Sequence, residues 1–129
     1  MFVSVVIPTY NRRPILEKCL LALEQQQACP LIDRYEVVVV DDGSTDGTPD
    51  WLRQNATRFP HVRLIEQSHG GPAEGRNRGV DHAQGDVIVF IDSDLVVTDS
   101  FLSCHAGSLV SSWAAVSYTH LTLPTTSPV

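Results

Sequence analysis

Four consecutive valines followed by two aspartates, "VVVVDD" at residues 37–42, constrain this chain more than any other feature. A sheet with one wet face needs apolar and polar residues in alternation. A strand apolar at every position needs cover on both faces, the condition met where crossover helices lie over a parallel sheet. "VSVVIP" at 3–8 and "VIVFIDSD" at 87–94 repeat the pattern, and "HVRLIEQ" at 61–67 gives a weaker version. Helical segments alternate with these strands. The first spans "NRRPILEKCLLALEQQ", with Asn11 as cap, Pro14 in the first turn, and Ile15, Leu16, Cys19, Leu20 and Leu23 on one face. The second follows "GSTDGT" and turns Trp51, Leu52 and Ala56 inward. The third covers roughly residues 73–83, and the last, "TDSFLSCHAGSLVSSW", is capped by Thr98 or Asp99. The implied fold class is α/β, a doubly wound, mostly parallel sheet in a chain of 129 residues sized for one domain.

Charge and cysteine content remove several functions. Fifteen acidic against nine basic residues give a net charge of −6, which argues against nucleic acid as a partner, since that needs clustered Lys and Arg. No apolar run approaches the roughly 20 residues of a membrane span, and no signal peptide is legible at the N-terminus. Cys19, Cys29 and Cys104 are far apart and odd in number, which reads as buried free thiols in a reducing, cytoplasmic setting.

In doubly wound sheets ligands bind beyond the carboxyl ends of the strands. Three polar clusters fall there: "PTYNR" at 8–12, "DDGSTD" at 41–46 and "DSD" at 92–94. Each alone is ordinary turn chemistry; together at one sheet edge they mark a site. On an extended segment Asp92 and Asp94 point the same way, and two carboxylates about 4 Å apart repel by roughly 4 kcal/mol at an effective dielectric of about 20. A raised pKa, a basic partner or a divalent cation must offset that. Hard oxygen donors suit Mg²⁺ or Mn²⁺.

Two families use such a strand end. "VIVFIDSDLV" fits the D-x-D pattern of haloacid-dehalogenase-like phosphatases, but that motif normally ends the first strand of its domain, and "PTYNR" and "DDGSTDGT" are left unexplained. By contrast "VVIPTYNR", "EVVVVDDGSTDGT", "GGPAEGRNRG" and "GDVIVFIDSDL", in this order, closely resemble the nucleotide-binding half of the family 2 inverting glycosyltransferases with the Rossmann-like GT-A fold. The resemblance covers residues 3 to about 103. It implies sugar transfer from a nucleotide-diphosphate sugar, UDP-linked by the Asp42 position, to a hydroxyl of a saccharide or lipid-linked acceptor. It places Pro8, Thr9 and Tyr10 around the nucleobase, with the Tyr10 ring against uracil. Asp42 accepts from the base, Arg76 lies near the nucleotide, Asp92 bonds the ribose, and Asp94 holds Mn²⁺ or Mg²⁺ against the phosphates. It also implies a cytoplasmic protein, at the inner face of the membrane in full-length form. Asp41 is expected to support the site indirectly or to cap a helix, Ser44 and Asp46 to cap helices, and His69 to be an ordinary loop residue. Where this family often carries Ala, the chain has Gly75.

No Asp, Glu, Lys or Arg follows Asp99. Val116–Thr125, "VSYTHLTLPT", also reads as an in-frame translation of a transposon-based sequencing adapter. The expectation is therefore a truncated GT-A domain over residues 1–115, with 116–129 a non-native, disordered tail. The base of such enzymes, typically an Asp, comes after the D-x-D motif, so the chain is expected to lack it and to bind without turnover. A nucleotide-binding module without catalysis is the alternative reading.

Overall fold

The computed structural model describes residues 1–113, so the tail and the boundary at 115 lie outside the described residues. The chain order is β1 (Phe2–Thr9), α1 (Arg13–Glu24), β2 (Arg34–Asp41), α2 (Thr48–Gln54), β3 (Val62–Glu66), α3 (Pro72–His82), β4 (Val87–Phe90) and α4 (Phe101–Trp113). The four strands form one sheet in the order β3-β2-β1-β4, all parallel. The strand order reverses between β1 and β4, which places the topological switch point beside the ends of those two strands.

The apolar runs behave as their composition demands. Val37, Val38, Val39 and Val40 are all fully buried, and they alternate between two cores. Val37 and Val39 face one with Leu16, Leu20, Leu23 and Leu102; Val38 and Val40 face the other with Val6 and Ile88. On this second face α3 lies close to β1 because Gly79 carries no side chain: a Cβ there would overlap Val6 Cγ1.

Several expectations require correction. Ile15 is 46% exposed rather than part of the α1 core face. Ala56 is exposed; the α2 region instead buries Leu52 and Phe59, with Trp51 tilted against Phe59. The fourth strand stops at Phe90, so Asp92 and Asp94 sit on a turn closed by the Leu95 amide donating to the Asp92 carbonyl. Cys19 is buried, Cys29 half-buried and Cys104 exposed. Burial, with Asp94 nearby, pushes the Cys19 thiol up to about 12, which leaves it inert.

Helix starts are satisfied by distant residues. Asn11 does not cap α1: its backbone is left-handed at φ 51°, a conformation Asn tolerates. Its Oδ1 accepts from the Thr45 amide, and its amide donates to Ser44 Oγ. Asp46 serves two helices, accepting from the Arg13 amide at the start of α1 and from the Thr48 amide and hydroxyl at the start of α2. For α4, Gln26 takes the role expected of Thr98 or Asp99. Its Oε1 accepts from the Leu102 amide and its Nε2 donates to the carbonyls of Ala22 and Thr98, while the Gln27 amide donates to the Asp99 carbonyl.

Candidate functional site

The carboxyl ends of the strands open into a cavity of about 420 Å³. Pro8, Thr9, Tyr10, Asp42, Arg76, Asp92 and Asp94, the seven residues singled out from the sequence, all line it. They converge because each ends, follows or packs over the end of a strand in a sheet whose strands all point one way. The β1 and β2 ends are tied by the Asp42 amide donating to the Thr9 carbonyl at 2.9 Å. Thr9 Oγ1, Asp41 Oδ1 and Gln67 Oε1 are buried without a protein partner. All three lie along this same edge, and unsatisfied buried oxygens are costly enough to mark a site.

Asp42 is the most constrained group in the cavity. It is 4% exposed. Its Oδ1 accepts from Gln67 Nε2 at 2.8 Å and the Gly70 amide at 2.7 Å; its Oδ2 accepts from the Gly71 amide at 3.0 Å and lies 2.9 Å from His69 Nδ1. Burial disfavours its charge, but Gln67, the Gly70 and Gly71 amides and His69 outweigh burial and hold the carboxyl below its ordinary range. Gly71, at φ 95°, turns the chain into α3, so the carboxylate also sits at that helix's positive end. Gly43, at φ 80°, lets the 67–71 loop lie against the β2 end: a Cβ there would be 3.1 Å from the His69 amide nitrogen. Asp41 supports the loop beside it, its Oδ2 accepting from the Ser44 amide at 3.0 Å.

Asp92 and Asp94 are exposed at the opposite wall, while Ser93 between them is buried. The alternation expected of a strand thus survives on the turn. Asp94 pairs with Arg12 at 3.5 Å, both side chains about half exposed, a geometry worth little in stability. Among the described residues no group of three or more His, Cys, Asp or Glu converges. Two hard carboxylates without a protein cage fit a cation that completes its shell with water and ligand phosphate, as Mg²⁺ does.

Four lining residues, Arg12, His69, Pro72 and Ser93, were not singled out from the sequence, and two of them, Arg12 and His69, carry basic side chains. Arg12 stands inside the flagged "PTYNR" cluster without a role of its own. His69 packs on Tyr10 with ring centroids 4.6 Å apart and lines the cavity. A signal for it existed: "SHGG" follows β3, and in an all-parallel sheet that end shares the edge with the other three.

The model of the family described as "Glycosyl transferase family 2" matches residues 4–121. Among curated proteins, glycosyltransferase AglE of Haloferax volcanii is 40% identical over 94 residues, covering 72% of this chain and 30% of that protein. The poly(ribitol-phosphate) beta-glucosyltransferase of Bacillus spizizenii is 41% identical over 96 residues, covering 73% of this chain and 15% of its own length. Among solved structures, S. aureus TarS in complex with UDP-GlcNAc superposes with a TM-score of 0.74 at 31% identity, over 86% of this chain and 32% of that one. The mannosyltransferase PcManGT from Pyrobaculum calidifontis, in complex with GDP-Man and Mn²⁺, gives 0.72 at 34% identity, over 89% and 32%. The chain therefore spans less than a third of the length of these relatives. The four-stranded parallel sheet is that of the GT-A fold. All four quoted motif stretches fall within the matched residues, and the chain belongs to glycosyl transferase family 2.

Proposed function

We propose that this chain forms the donor-nucleotide part of an inverting glycosyltransferase that transfers a sugar from a UDP-sugar to an acceptor hydroxyl, with Mn²⁺ or Mg²⁺. The observation that carries this is one cavity beyond the carboxyl ends of the strands that Tyr10, Asp92, Arg76 and Asp94 line together. Support comes from TarS, solved with UDP-GlcNAc, and from PcManGT, solved with GDP-Man and Mn²⁺.

In this reading Tyr10 stacks on the base within the pocket of Pro8 and Thr9, and Asp42 accepts a hydrogen bond from the base. Asp92 bonds the ribose, and Arg76 offsets the charge that develops on the departing diphosphate. Asp94 holds the cation, which when bound supplies Lewis-acid stabilisation of that diphosphate. The acceptor hydroxyl needs a base. The cavity carboxylates already have other work, and no Asp or Glu follows Asp99. We therefore expect nucleotide binding by these 129 residues and no sugar transfer. We further propose that residues 116–129 are adapter-derived; the family match runs on to residue 121, and a locus that encodes this segment in a long read across the Ala115 codon would refute the proposal.

Calorimetric titration with UDP tests the binding role. Affinity rises when Mn²⁺ is added, and Asp94→Ala removes that gain, about tenfold or 1.4 kcal/mol. Metal-independent binding that Asp94→Ala leaves untouched would refute the metal assignment, and measurable sugar transfer by this chain would refute the absence of a base.

A further inference from the structure

Resting on the nucleotide reading above, we infer that Arg12 is a built-in stand-in for the divalent cation. Its guanidinium neutralises Asp94 and faces the diphosphate when no cation does, and so sets how strongly nucleotide binding depends on metal. By ordinary helix chemistry Arg12 is misplaced. It is the N-cap of α1, makes no side-chain capping bond, and precedes a second cation, Arg13, in a first turn without an acidic residue. An oxygen-bearing side chain would serve that position, and the positive end of a helix disfavours cations. Local rules are broken in this way chiefly where a site requires the residue.

The backbone around Arg12 is held firmly. The Asn11 amide donates to Ser44 Oγ at 2.8 Å, and Asn11 Oδ1 accepts from the Thr45 amide at 2.7 Å. The Arg13 amide donates to Asp46 Oδ2 at 3.0 Å, and the Arg12 carbonyl accepts from the Leu16 amide at 2.8 Å. From this fixed root the side chain reaches the turn after β4, where its Nη1 lies 3.5 Å from Asp94 Oδ2. Both residues line the cavity. The separation is that of a charge pair and not of a tight hydrogen bond, and both side chains are about half exposed. Such a contact is easily exchanged, which suits a counter-ion that must yield. A guanidinium carries several N–H donors in one plane, enough to hold a carboxylate on one edge and a phosphate oxygen on another. A divalent cation calls on the same carboxylate and the same phosphates, and takes its place.

The test measures UDP affinity of the full chain by calorimetry in Mn²⁺ and again in EDTA, and reads the ratio of the two. For wild type the ratio is about ten, the gain expected above. In Arg12→Gln it rises to about a hundred, since in EDTA the diphosphate meets a bare Asp94 carboxylate and loses a charged donor, a loss that the cation makes good. Arg12→Lys keeps the charge and returns the ratio toward the wild-type value. Arg34→Gln removes a cation from the opposite end of β2, leaves the ratio unchanged and controls for net charge. Circular dichroism checks that each variant is folded. An Arg12→Gln ratio no higher than that of wild type, whether both affinities fall together or neither moves, overturns the inference and leaves the nucleotide reading standing. An Arg12→Lys ratio as high as that of Arg12→Gln also overturns it. No binding of UDP by wild type in either condition overturns the nucleotide reading and this inference together.

Discussion

Asp42→Asn lowers the unfolding free energy by about 2–3 kcal/mol, the range for losing charge-assisted hydrogen bonds and leaving buried donors without partners. The substitution is isosteric, but one oxygen becomes an NH₂ group. Whichever way the amide turns, it presents hydrogens to the Gln67 amide and the Gly70 nitrogen, or to the Gly71 nitrogen and His69. The stability of such a domain is of the order of 5–15 kcal/mol in total, so the loss is large. It also has a pH signature. Because the folded carboxyl ionises below its ordinary value of 3.8, its stabilisation is complete above that value and vanishes as pH falls through the lower, folded one. Glu36 and Asp46 are lowered too, so wild type and variant both weaken in acid. The difference between them isolates Asp42. Urea denaturation across pH 7 down to about 2 should show that difference shrinking, and a constant gap would mean that the carboxylate charge is not its source.

Gly79→Ala costs about 2 kcal/mol net, although alanine is the better helix former by roughly 1 kcal/mol. The added Cβ overlaps Val6 Cγ1 and lies 3.3 Å from Val40 Cγ2. Both valines are fully buried, so neither can turn aside, and α3 must lift from the sheet. Arg76 sits on that helix one turn away, so UDP affinity should fall with stability. Gly75→Ala makes the control. Its Cβ would meet Pro8 Cβ at 3.2 Å, a contact relieved by a few tenths of an ångström, and helix propensity offsets the strain. Thermal melts should place Gly75→Ala within about 0.5 kcal/mol of wild type. A Gly79→Ala protein of equal or greater stability would show that α3 and β1 have slack that their close approach denies.

The fold was legible because uniform apolar runs leave one architecture open. Val37 to Val40, buried on both faces, are the reason. The weaker pattern of β3 is that of an edge strand, with Val62 to Ile65 half-buried. The cavity residues were legible for a related reason: in an all-parallel sheet, the residue after each strand has one place to go. What was not legible depends on loop conformation. Nothing in "TYNRR" announces the positive φ that turns Asn11 away from α1 and toward Thr45. Nothing in "DDGS" reveals that Asp42 turns back onto the 67–71 loop, where Gln67 and the Gly70 and Gly71 amides hold it. Asp46 was rightly read as a helix cap, but its service to a second helix, α1, needs two loops brought side by side in space.

The Gln26 contacts carry a consequence for ligand capture. Upstream of the Asp92–Asp94 turn, β4 is hydrogen-bonded into the sheet, the ladder extended by the Ile91 amide donating to the Val6 carbonyl. Downstream, Thr98, Asp99 and Leu102 are stapled to the end of α1 through Gln26 and Gln27. A short span anchored at both ends has little configurational freedom left to lose. Under the proposed function, the ordering penalty that a flexible loop would impose on an arriving nucleotide would be met instead when the chain folds.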